Sequence, residues 1–116
     1  MNSTSLSFDG KVITVGRAEN CETMAALREE IDKLDRFLVE VLKFRLSFME
    51  QAAVLKKDRT LVRDDERIEA VVKNVTDHAK TIGLNEGFAE RLYRHLIELS
   101  IDHEYDAFDI EAGAME

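Results

Sequence analysis

Proline is missing from the chain altogether, and glycine occurs only five times in 116 residues. Helices therefore meet no obligatory break, and long uninterrupted ones are favoured. The single cysteine, Cys21, excludes an internal disulfide. With three histidines beside it, the supply of metal ligands is too thin for a metal framework. No apolar run approaches the roughly 20 residues needed to span a bilayer. The opening MNSTSLSFDG lacks the basic and apolar blocks of a secretory signal, so a cytoplasmic location is expected. Repeats and low-complexity tracts are absent too. Positive charge is in deficit, with 16 Lys+Arg against 24 Asp+Glu and a formal net charge of −8. That excludes generic nucleic-acid binding, which needs a basic face. What remains, 45% hydrophobic and 34% charged in one domain-sized length, is the mixture of a soluble helical protein.

Helical period begins at about residue 23. Before it, SLSFDGKVITVG carries an Asp9-Gly10 turn signal and a β-branched run, which leave a small hairpin open. Residues 1–22 are expected to form a flexible extension with no assigned role. From Thr23, a natural N-cap, to about Lys57 the stripe runs Leu27, Ile31, Leu34, Leu38, Val41/Leu42, Phe48/Met49, Ala52 and Leu55. Asp58 and Arg59 begin a polar link. Asp64 caps a second helix with the stripe Ile68, Val71/Val72, Val75, Ala79 and Ile82, and Gly83 stops it. Asn85 caps a third, with Phe88/Ala89, Leu92/Tyr93, Leu96, Leu99/Ser100, His103 and Ala107. The fold class is all-α: a three-helix chain over residues 23–110, with a tail at 111–116 expected to fray.

Length adds a constraint. A first helix of about 34 residues is roughly 50 Å long. A compact domain of this size is only about 35 Å across. Part of the apolar stripe therefore needs cover from a second chain, and an intertwined, two-fold helical homodimer is expected.

Polar residues interrupt the stripes in a particular way. Arg45 fills a core-facing position, seven after Leu38 and seven before Ala52. Lys56 lies eleven residues further on, about 20° past three full turns, so both cations point the same way with roughly 16 Å between them along the axis. Arg28 faces about 100° away from Arg45 and suits a partner chain's site better than its own. Arg67 borders the second stripe one turn after Asp64, and Ser100 and Glu104 form an i, i+4 pair on the third helix. Each has a structural alternative. Arg28 can be solvated beside Glu29 or Asp32, Arg45 can snorkel, and Lys56 can complement a helix dipole. Arg67 can pair with Asp64, and Glu104 can be neutralised by an arginine. Together, four cations, a hydroxyl and a carboxylate cost too much to bury unpaired, and a small dicarboxylate ligand would offset them.

The segments ALREEIDKLDRFLVEVLKFR, VLKKD, VRDDER and ERLYRHLIELSIDHE, in that order, resemble the all-helical AroQ-class chorismate mutases over residues 21–108. The resemblance implies an intertwined three-helix homodimer with two equivalent sites. It also implies that Arg28 crosses to the partner's site to hold a substrate carboxylate, while Arg45 holds a carboxylate within its own chain's site. Lys56 would bind a carboxylate and the ether oxygen of the breaking bond. Asp64 and Arg67 would lie beside the ring, Ser100 near the ring carboxylate, and Glu104 would donate to the ether oxygen. Chorismate rearranges to prephenate by a concerted [3,3] shift, so no nucleophile, cofactor or metal is implied. The catalytic work is holding a near-attack arrangement and stabilising negative charge on the ether oxygen.

Two departures from the family pattern stand out. Glu104 occupies a position that is glutamine in some members, and a glutamate donates only while it carries its proton. Activity should then fall as pH rises, and Glu104→Gln should flatten that dependence. Ile68 stands where some members carry a glutamate that contacts the ring hydroxyl. The aliphatic side chain, together with ENCETMAALREEID, keeps isochorismate-pyruvate lyase and 4-amino-4-deoxychorismate mutase open on the same scaffold. A non-catalytic helical dimer is the alternative of another class. It expects Arg45→Ala and Lys56→Ala to leave stability level or improved, and no dicarboxylate to raise the melting temperature.

Overall fold

The computed structural model describes residues 3–114. In chain order the elements are β1 (Ser3–Phe8), β2 (Lys11–Gly16), α1 (Met24–Leu55), α2 (Asp65–Ile82) and α3 (Glu86–Ala114), with 3₁₀ turns at Ala18–Asn20 and Arg59–Leu61. The all-α, three-helix architecture holds, with a hairpin added ahead of it. Two compact units divide the chain, Met1–Arg45 and Leu46–Glu116, and α1 contributes to both.

In the first unit the segment expected as a flexible extension is an antiparallel β-hairpin. Asp9 (φ 52°) and Gly10 (φ 77°) both take left-handed conformations. A two-residue turn of that kind matches the twist of the strands it joins, and aspartate with glycine adopts it at little cost. Leu6 pairs with Ile13 and Phe8 with Lys11. The two-residue period therefore puts Leu6, Phe8, Ile13 and Val15 on one face, and Ser3, Ser5, Ser7 and Thr14 on the other. Phe8 meets α1 edge-on, its ring 6.3 Å from Phe37 and 5.1 Å from Phe44. Two polar pins fasten the second strand: Lys11 Nζ donates to Glu40 at 2.6 Å, and the Gly16 N–H donates to Glu30 Oε2 at 2.7 Å. That amide, with Lys33 second, holds the Glu30 carboxyl below its ordinary range.

The register that builds this apolar face is cross-strand information, invisible to a helical-period search. Phe8→Ala should cost about 1–2 kcal/mol, less than a fully buried phenylalanine because the ring is only half-buried. Chemical denaturation reads this out. A change below about 0.3 kcal/mol would mean that the hairpin does not dock in solution.

On α1, Thr23 caps the start, its hydroxyl accepting from the Ala26 N–H at 3.1 Å. Much of the apolar stripe of this helix is exposed, including Ile31, Leu34, Leu38 and Leu55.

In the second unit α2 and α3 pack together around Val62, Val72, Ile97 and Ile101, flanked by Ile68, Val71, Tyr93, Tyr105 and Phe108. The Asp64 carboxylate caps α2 by accepting from the Arg67 N–H at 3.0 Å. Gly83, at φ 78°, lets the chain turn back so that the Leu84 N–H reaches the Ala79 carbonyl at 2.8 Å. Asn85 caps α3 through the Phe88 N–H at 2.8 Å. The helix then runs on through Ala114, beyond residue 111 where fraying was expected; residues 115 and 116 lie outside the described residues. None of the described helices is long and apolar enough to cross a membrane.

Candidate active site

Three of the seven residues singled out from the sequence come together in the second unit. Lys56 follows the last turn of α1, its N–H still bonded to the Ala52 carbonyl at 3.0 Å. Its ammonium donates to Glu104 Oε2 at 2.6 Å and to the Val62 carbonyl at 3.4 Å. Glu104 sits on the buried face of α3, its side chain only 5% exposed, against 27% for Lys56. One turn earlier Ser100 is buried as well, donating its hydroxyl to the Leu96 carbonyl at 2.6 Å.

Burial of an ion pair is costly unless its remaining hydrogen-bonding capacity is used. Here the Lys56 ammonium has three N–H donors. One faces a carboxylate and one a main-chain carbonyl; among the described residues the third is not engaged. A partly shielded cation with a donor to spare, beside a buried carboxyl and a buried hydroxyl, can grip an anionic oxygen and supply hydrogen bonds to it. Nothing in the set is an activated nucleophile.

The other four candidates are placed as follows. Asp64 and Arg67 open α2, both exposed, with the Asp64 carboxylate engaged as the helix cap. Arg28 and Arg45 stand on α1 within the first unit; Arg28 is exposed and Arg45 half-buried. Also on α3, His103 meets Glu50 at 3.0 Å and Tyr105 lies beneath Arg59.

The connection between α1 and α2, expected as a polar link from Asp58 and Arg59, is an ordered turn tied by side chains. Asp58 accepts from the Thr60 N–H and hydroxyl, at 2.9 and 2.8 Å, which holds its carboxyl below the ordinary range. Arg59 donates to Asp109 at 2.9 Å, and its guanidinium carbon lies 4.4 Å from the centre of the Tyr105 ring. Arg63 forms a two-pronged pair with Glu98, both contacts 3.0 Å, and that pair keeps the Glu98 carboxyl low. The Val62 carbonyl, which helps to orient Lys56, could not have been found from residue types because the contact is made by the main chain.

Comparison with known proteins adds two findings. Residues 27–105 match the family described as chorismate mutase type II. The chain is also 29% identical over 79 residues to the isochorismate pyruvate lyase of Pseudomonas aeruginosa, an alignment that covers 68% of this chain and 78% of that protein.

Proposed function

The chain belongs to the chorismate mutase type II family, and from that premise we propose that it is a chorismate mutase, an isomerase converting chorismate to prephenate in the cytoplasm. The buried Lys56–Glu104 contact beside Ser100 carries this reading. As the C–O bond breaks, negative charge gathers on the ether oxygen. Lys56 places positive charge there, and Glu104 donates a hydrogen bond whenever its carboxyl carries a proton. Both groups are fixed before the reaction, so little reorganisation is needed when the charge develops.

The substrate's carboxylates need further cations. Arg45 supplies one from the same chain as Lys56, and Arg28 enters from the partner of a homodimer. The exposed apolar stripe of α1 supports such a partner, since a single chain leaves Ile31, Leu34 and Leu38 in water. Asp64 and Arg67 at the start of α2 flank the ring, and Ser100 lies towards the ring carboxylate. Clamping both carboxylates holds the enolpyruvyl arm over the ring in a near-attack chair.

Isochorismate-pyruvate lyase is the second reading. The likeness to a protein of that name supports it, as does the half-buried aliphatic Ile68 at the start of α2. Incubating the pure protein with chorismate, isochorismate and 4-amino-4-deoxychorismate in turn, and following each product, separates these. Turnover of chorismate well above the others is expected. Faster release of pyruvate from isochorismate would transfer the assignment to the lyase. Glu104→Gln, whose amide always donates, should turn over the preferred substrate at least as fast as the wild type; loss of most of the activity would remove hydrogen-bond donation by Glu104 from the chemistry.

A further inference from the structure

The link between α1 and α2 is fastened to α3 at two points, and the fastening bears on Lys56. Around α3, at 100° per residue, Glu98, Tyr105 and Asp109 fall within about 40° of one another, so they form one ridge along the helix. Arg59 grips the far end of that ridge through Asp109 and lies over Tyr105. Arg63 grips the near end through Glu98 with two parallel contacts. Between the two arginines the link is a closed turn: the Leu61 N–H reaches the Asp58 carbonyl at 3.0 Å, and the Val62 N–H reaches the Arg59 carbonyl at 3.2 Å. The Val62 side chain is sunk in the core, 4% exposed, while its carbonyl accepts from Lys56 Nζ.

We propose that Arg59 and Arg63 are positioning residues: they strap the 58–63 link along α3 so that the Val62 carbonyl and Glu104 together fix the direction of the Lys56 ammonium and leave its third N–H for an anionic ligand. The geometry is specific in a way that surface ion pairs usually are not. Isolated exposed pairs contribute little to stability and are readily exchanged for water. Here two planar guanidinium groups each make paired contacts, one also stacks on a ring, and both act on a single turn of chain. Paired contacts of this kind restrict orientation as well as distance. Their consequence is geometric, so their loss should show in the freedom of Lys56 more than in the melting temperature. In using an anionic ligand this rests on the function proposed above, but the strap itself can be read without any substrate.

The test is acylation of Lys56 in the folded protein by an amine-directed reagent, followed by peptide mass spectrometry, with hydrogen exchange at Val62 measured in parallel. An ammonium held between a carboxylate and a carbonyl reacts slowly. In the R59M/R63M double variant, labelling of Lys56 should be about fivefold faster and exchange at Val62 should rise, as local opening becomes easier. Asp109→Asn loosens one end without touching the link, and should give a smaller change of the same sign. It also serves if the double variant fails to fold. The charge-reversed pair R59D/D109R should restore part of the protection. For whichever substrate is turned over, kcat/KM of the double variant should drop roughly tenfold through misplacement of the cation. Labelling of Lys56 that is equally fast in wild type and in these variants would overturn the proposal whatever the substrate assays show. Faster labelling in a protein that turns over none of the three substrates would uphold the strap and count only against the mutase and lyase readings.

Discussion

Lys56→Met should lower kcat/KM for chorismate by at least roughly 10³-fold, because in the proposed reaction one cation holds a carboxylate and stabilises the developing charge on the ether oxygen. Methionine keeps much of the stem's volume and flexibility while removing charge and donors together. Single-turnover measurements should place most of the loss in the chemical step. If the variant retains a tenth of wild-type activity, then Lys56 is not where the charge develops. The structure adds a second consequence that residue types alone pointed away from. A non-catalytic dimer was expected to tolerate Lys56→Ala without loss of stability. Lys56 is, however, the hydrogen-bonded partner of a carboxyl that is 5% exposed, so its removal strands Glu104. The destabilisation should be on the order of 2 kcal/mol, below the ~3–5 of a fully buried pair because Lys56 keeps some exposure. Stability of that variant therefore cannot separate a catalyst from a non-catalytic dimer. Activity, or a rise in melting temperature with a dicarboxylate ligand, can.

The second large effect comes from mixing two dead proteins. If Arg28 serves the partner's site, Arg28→Ala and Lys56→Met homodimers should both be nearly inactive. Unfolding them together and refolding should recover activity. A mixed dimer contains one site with both side chains intact and one with both removed. Random pairing at equal amounts makes half of the dimers mixed, and half of the sites in those are whole, so about a quarter of wild-type activity should return. Recovery near zero, with mixed dimers demonstrated by mass, would place Arg28 in its own chain's site, and an Arg28→Ala homodimer that is active alone would place it outside any site. The experiment also probes association itself, since monomers cannot complement one another.

Local signals were the legible ones. Thr23, Asp64 and Asn85 cap the helices that they were expected to cap, and Gly83 takes the left-handed conformation that ends α2. Each of these is settled by hydrogen bonds spanning three or four residues, so the neighbouring sequence is nearly the whole environment. The helical stripes were legible for a similar reason: period 3.6 is a property of the chain before it folds. The hairpin was only half legible. Asp9-Gly10 announced its turn, but the apolar face that docks Phe8 on Phe37 and Phe44 exists only once the strands have paired and met α1.

By itself, then, the chain's amino-acid order determined three long helices, the caps that start them and the glycine that ends α2. Tertiary structure alone decided which charge meets which. Lys56 finds Glu104 across 48 residues, Arg59 finds Asp109 across 50, and Arg63 finds Glu98 across 35. Charged side chains are long and accept any opposite charge within reach. Only the path of the backbone, set by the packing of Val62, Val72, Ile97 and Ile101, selects one partner from the many that composition allows.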